Sequence, residues 1–141
     1  VVKNIPLKQI MTREVASVHE DAPFSKVEQT FKLRHIRHLP VVDKNNKLVG
    51  IISERDLYRT VAPHKTEEGY LYDRSQLDEF ILKFVMTANP FSLHPENTVK
   101  DALEAMAFRK YGCIPITDAA GLMVGIVTRT DILSYVAKNL I

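Results

Sequence analysis

Gly50-Ile51-Ile52-Ser53-Glu54-Arg55-Asp56 and Gly125-Ile126-Val127-Thr128-Arg129-Thr130-Asp131 are the same phrase written twice. Each runs glycine, two aliphatics, a hydroxyl residue, two variable residues and aspartate. The aliphatic pair reads as the end of a strand, and Ser-x-x-Asp or Thr-x-x-Asp reads as the start of a helix. There the hydroxyl caps free backbone amides and the acid favours the positive helix end. Working outward, a shift of 75 residues lays 10–59 on 85–134 without a gap. Met11-Thr12 falls on Met86-Thr87, Ser17-Val18-His19 on Ser92-Leu93-His94, Arg34 on Arg109, Pro40 on Pro115 and Asp43 on Asp118. Hydrophobic classes stay in phase over the whole stretch, which marks an internal duplication.

Each copy predicts the order β-α-β-β-α. A short strand follows the Met-Thr pair, at Ala16–His19 and Phe91–His94. In the first copy a helix follows, with Pro23 in its first turn behind Asp21 or Ala22, and Phe24, Val27 and Phe31 at helical spacing. In the second, Asn97 or Thr98 caps a helix carrying Val99, Ala102, Leu103 and Met106. Strands Leu39–Val42 and Leu48–Ile52 flank one polar turn, and Ile114–Thr117 and Leu122–Val127 flank the other. Last helices begin near Glu54 and Arg129. The expected domains are a first repeat over 8–60, a linker over 61–84 and a second repeat over 85–138. The linker opens polar, with Pro63 and Gly69, and closes in one helix carrying Leu77, Phe80, Ile81 and Phe84 behind a Ser75 cap. A unit of this size rarely buries its sheet alone. Two copies packed about a pseudo-twofold would cover each other and leave two equivalent clefts.

Composition narrows the function. Lysine, arginine and acids are interleaved to a net charge of +2, a solvated surface that argues against a nucleic-acid polymer as partner. No uninterrupted apolar run approaches the ~20 residues of a membrane span, and the opening residues carry no signal-peptide pattern. With Cys113 as the single cysteine, no intrachain disulfide forms, so a reducing, cytoplasmic setting is expected. Hydrolase nucleophile elbows and Walker phosphate loops are absent, and Cys113 has no activating partner nearby in sequence, so no enzyme is expected. His35 and His38 lack a cysteine or carboxylate to complete a ligand set, and no metal is expected. His19 and His94, at matching strand ends, read as structural.

The repeated phrase also suits a ligand. A strand running into a helix start aims free amides and a hydroxyl at one place, which fits phosphate, and an aspartate one turn along can accept a ribose diol. Glycine removes a side chain where a ligand approaches backbone.

Together with Ile10-Met11-Thr12, Val85-Met86-Thr87, His38-Leu39-Pro40-Val41-Val42-Asp43 and Ile114-Pro115-Ile116-Thr117-Asp118, these phrases make each copy resemble a CBS domain, and the pair a Bateman module. The resemblance covers about 10–138. It implies an α/β (α+β) fold of two β-α-β-β-α repeats and a regulatory module that binds AMP, ADP, ATP or S-adenosylmethionine, changes conformation or assembly on binding, and requires no cofactor. Carried over by position, one cleft uses Ile51, Ser53 and Asp56 with Thr87, Pro90, Ser92 and Tyr111. The other uses Ile126, Thr128 and Asp131 with Thr12, Val15, Ser17 and Ile36. In such sites the aspartate holds ribose, the hydroxyl meets phosphate and aliphatics sandwich adenine. Arg37 and His38 stand where phosphate contacts are often placed, whereas the second copy has Gly112 and Cys113 there. The resemblance further implies a homodimer, with Phe24, Phe31, Val99 and Met106 as candidates for the meeting surface, and an attached or partner effector domain. The alternative is a structural dimerisation module with vestigial clefts.

Overall fold

The computed structural model describes residues 4–61, 64–71 and 74–139; Pro63 and the Ser75 side chain lie outside the described parts. The chain divides into two compact units. One is Ala16–Pro90, and the other joins Val1–Val15 to Phe91–Ile141. The units are offset from the sequence repeats. The segment carrying Met11-Thr12 packs with the second repeat, and the one carrying Met86-Thr87 packs with the first.

In the central unit, β1 (Val18–His19), α1 (Phe24–Arg34), β2 (His38–Val42), β3 (Leu48–Ser53) and α2 (Glu54–Val61) follow in the expected order. A hairpin of β4 (His64–Thr66) and β5 (Gly69–Leu71) comes next, then a 3-10 turn (Arg74–Glu79), α3 (Leu82–Val85) and β6 (Thr87–Ala88). The sheet order is β1-β2-β3-β6, with β1 parallel to β2 and the other pairs antiparallel. Phe24, Val27 and Phe31 lie on one stripe of α1 and are buried against Leu39, Val41 and Ile52 of the sheet. Pro23 is the N-cap of α1 and not its first turn, and it offers no side-chain cap. That task falls to a distant residue: Ser25 N–H donates to Asp78 Oδ1 at 2.8 Å.

The linker departs from the expected single helix. The chain is extended at Ile81, which separates the 3-10 turn from α3. Leu77 and Leu82 point into the core from either side of this break, while Ile81 and Phe84 are exposed. An unbroken helix could not bury both leucines, because residues five apart lie on different faces.

The second unit repeats the plan with α4 (Val99–Phe108), β7 (Cys113–Thr117), β8 (Met123–Thr128) and α5 (Arg129–Asn139). Its outer strands shrink to single bridges. Leu93 pairs in parallel with Ile116, and Thr12 antiparallel with Ile126, so the expected strand at Phe91–His94 is one bridge residue. Thr98 caps α4 in a full capping box with Asp101. The β2–β3 turn folds around Asp43 Oδ1, which accepts from Asn45 and Lys47 N–H; the β7–β8 turn folds around Asp118 Oδ1, which accepts from Ala120 and Leu122 N–H. Asn46 and Gly121 take the left-handed position the two turns need, at φ of 64° and 84°.

The residues expected at the dimer surface face the cores instead. Phe24, Phe31 and Val99 are core residues and Met106 packs against the second core, because an amphipathic helix has one apolar stripe and here the sheet takes it. Among the described residues the exposed large apolar side chains are Leu33, Tyr58, Ile81, Phe84, Phe108 and Leu133. Among the described residues no helix is long and apolar enough to cross a membrane.

Candidate functional site

Each repeated phrase forms the corner between a strand and the helix after it. In the central unit Ser53 ends β3 and caps α2. Its Oγ accepts from Asp56 N–H at 3.0 Å, and Asp56 Oδ2 accepts from Ser53 N–H at 2.9 Å. In the second unit Thr128 and Asp131 close the same reciprocal box, at 3.3 and 2.8 Å, and the Thr128 hydroxyl also donates to Asp131 Oδ2 at 3.1 Å. The capping role is therefore present at both corners. It occupies one carboxylate oxygen, Oδ2, of each aspartate.

The Met-Thr segments complete the corners. Thr87 is in register with Ile51, and Ala88 with Gly50, so β6 lies along β3 within the central unit. In the second unit Thr12 exchanges both backbone hydrogen bonds with Ile126, at 2.9 Å each. The glycines of the repeated phrase admit methionine. A Cβ on Gly50 would collide with the Met86 sulfur, and one on Gly125 would meet Met11 Sδ. Sequence reading assigned that room to a ligand; the methionines fill it.

The expected site residues thus fall into two sets. Ile51, Ser53, Asp56, Thr87 and Pro90 belong to the central unit, with Arg37 and His38 beside them. The Arg37 carbonyl accepts from Glu54 N–H at 2.8 Å, and His38 is in register with Ser53. Ile126, Thr128, Asp131, Thr12 and Val15 belong to the second unit. Ser92 and Tyr111, expected with the first set, are in the second unit, and Ser17 and Ile36, expected with the second set, are in the central one.

Two arrangements escaped the sequence. Tyr111 stacks on Phe91 with ring centroids 5.0 Å apart and planes 9° from parallel, and the Arg109 guanidinium covers the other ring at 5.1 Å from its centroid. The aromatic residues at 91 and 111, where the first copy has Ala16 and Ile36, were the available signal. The second is a hydrogen bond from the Thr12 hydroxyl to Asp131 Oδ1 at 3.2 Å, between residues 119 apart, for which the sequence holds no local signal.

Cys113 is buried, and burial pushes its thiol up to about 12, so little reactive thiolate exists near neutrality. His94 Nδ1 lies 2.8 Å from the Thr117 carbonyl, and His19 Nδ1 accepts from Asp21 N–H at 3.1 Å, so both fasten loops. His35 ends α1 in the left-handed conformation while His38 is in β2, and the described residues contain no cluster of three metal-ligating side chains.

The family model for the CBS domain matches this chain twice, over residues 7–63 and 82–138. A CBS domain-containing protein of Dictyostelium discoideum is 30% identical over 95% of this chain and 92% of its own length. Among solved structures, a CBS domain-containing protein of unknown function from Bacillus anthracis superposes with a TM-score of 0.84 at 23% identity, covering 99% of this chain and 97% of that one. The CBS domain pair of protein MJ0100, solved in complex with 5′-methylthioadenosine and S-adenosyl-L-methionine, gives a TM-score of 0.74 at 25% identity, covering 92% and 97%.

Proposed function

The chain belongs to the CBS-domain family, and from that premise we propose that it is a regulatory module whose ligand is an adenosyl nucleotide. The observation that carries this reading is the Asp56 corner. Asp56 Oδ2 is committed to the α2 cap, and among the described residues Oδ1 has no hydrogen-bond partner. A half-buried carboxylate at a helix start, with one oxygen outside the cap and the Arg37 backbone bonded to the first residue of the same helix, suits a ribose diol and the phosphate attached to it. The ligand complex of MJ0100 supports adenosyl chemistry.

The module works by population shift. Ligand binds one arrangement of the protein better than another and biases an attached or partner domain by that difference. It catalyses nothing itself: its one thiol is held protonated, and its aspartates serve as caps and acceptors. The reading extends to a cytoplasmic homodimer, with the exposed Leu33, Phe84, Phe108 and Leu133 as the contact residues.

Affinity in the micromolar range, ~1–100 μM, corresponds to about −8 to −5.5 kcal/mol. Calorimetry and thermal shift with AMP, ADP, ATP and S-adenosylmethionine test the reading. Binding of at least one of them supports it; no response to any at millimolar concentration leaves a structural module with vestigial sites. Light scattering tests the dimer.

A further inference from the structure

We propose that Thr12 makes the two nucleoside sites unequal, by occupying at Asp131 the carboxylate oxygen that stays open at Asp56. The inference rests on the reading of both aspartates as ribose acceptors.

The two aspartates hold equivalent positions in the repeats but carry different loads. Asp131 Oδ2 accepts from Thr128 twice, from N–H at 2.8 Å and from the hydroxyl at 3.1 Å, and its Oδ1 accepts from the Thr12 hydroxyl at 3.2 Å. Asp56 Oδ2 accepts from Ser53 N–H at 2.9 Å, and among the described residues its carboxylate has no further hydrogen bond. An ionised carboxylate offers about four lone-pair directions. Asp131 has three in use and Asp56 has one. A vicinal diol brings two O–H donors, so Asp56 can receive both. Asp131 can receive one until Thr12 releases.

The threonines are held differently. Thr87 belongs to β6, which continues along β3 through Ala88 and on to Asn89, whose N–H donates to the Val49 carbonyl at 3.2 Å. Thr12 meets β8 at a single bridge residue. Its hydroxyl bond is longer than usual for O–H···O, and Thr12 is solvent-exposed, so ligand or water can displace it. The result is an affinity difference and not a blocked site.

The test isolates each site and compares adenosine with 2′-deoxyadenosine by calorimetry. Asp56→Ala leaves the Asp131 site, and Asp131→Ala leaves the Asp56 site. With Asp131→Ala, adenosine should be preferred over the deoxynucleoside by roughly tenfold; with Asp56→Ala the preference should shrink to roughly threefold or less. Adding Thr12→Val to Asp56→Ala should tighten adenosine by roughly three- to tenfold and restore the preference for the diol. Adding Thr87→Val to Asp131→Ala should not tighten it. Thr12→Ser keeps the hydroxyl and should behave as the unsubstituted residue; both Thr12 variants retain the backbone bridge to Ile126, and melting curves check that they fold. Unchanged or weaker adenosine binding in a folded Thr12→Val protein overturns the inference, as does equal diol preference at the two sites. Two equal adenosine sites in the unsubstituted protein sink this inference alone, whereas binding of neither adenosine nor ATP sinks the nucleotide reading along with it.

Discussion

Met11 Sδ fills the space a side chain at position 125 would need. A Cβ on Gly125 would stand 2.6 Å from that sulfur and 3.1 Å from the Thr12 carbonyl oxygen. Gly50 and Met86 are related in the same way, except that all three nearest atoms there belong to the methionine side chain. The methionine of one sequence repeat is thereby locked over the strand of the other.

That difference orders the cost of enlarging each glycine. Gly125→Ala must move backbone as well as thioether and should lose about 1–3 kcal/mol, the usual range for overpacking. Gly50→Ala has only a flexible thioether to displace and should lose less. Urea denaturation measures both. Combining Gly125→Ala with Met11→Ala should recover at least about 0.5 kcal/mol relative to the sum of the singles, since the two side chains compete for one space. Strict additivity would show that they do not.

Asp56→Ala and Asp131→Ala should separate binding from stability. Each loses a charged acceptor for ribose, worth about 1.5–3 kcal/mol of affinity. Each also opens a capping box, and helix caps are typically worth about 1 kcal/mol of stability. Calorimetry and chemical denaturation on the same samples distinguish the two effects. Normal affinity in both variants, with stability reduced, would mean that the boxes serve only as caps.

Arg37 and His38 flank Ser53, whereas Gly112 and Cys113 flank Thr128. Phosphate dependence should therefore be concentrated in the central unit, because a guanidinium can grip two phosphate oxygens at once. Arg37→Ala combined with His38→Ala should weaken ATP far more than adenosine. An equal loss for both ligands would assign these residues to pocket shape.

Asp78 caps α1 from across the chain, and the Ser25 backbone hydrogen bond, assisted by the Ser25 side chain, holds its carboxyl below the ordinary value of 3.8. The folded state thus favours the ionised form. Its contribution is fully present above the carboxylate range and is lost as pH falls through the lowered folded value. Asp78→Asn should flatten the loss of stability below about pH 4, with a smaller effect at neutral pH than Asp78→Ala. Denaturation midpoints across this range check it. An unchanged acid slope in Asp78→Asn would remove Asp78 from the account.

The sequence by itself determined what depends on neighbours along the chain. The duplication is visible by comparing the chain with itself, and the strand pairs around Asp43 and Asp118, the stripe of Phe24, Val27 and Phe31, and the boxes of Ser53 with Asp56 and Thr128 with Asp131 all arise from residues a few positions apart. Spacing and backbone chemistry encode such features directly. Tertiary structure decided the rest. It placed methionine over glycine, moved the cap of α1 to Asp78, turned three candidate contact residues, Phe24, Phe31 and Val99, into core and packed the fourth, Met106, against it. It also joined Thr12 to Asp131 and, among the described residues, left Asp56 Oδ1 without a partner. These outcomes depend on which distant surfaces fill one another's space. Two copies with nearly the same local pattern can differ there, because one hydroxyl reaches a carboxylate and its counterpart does not.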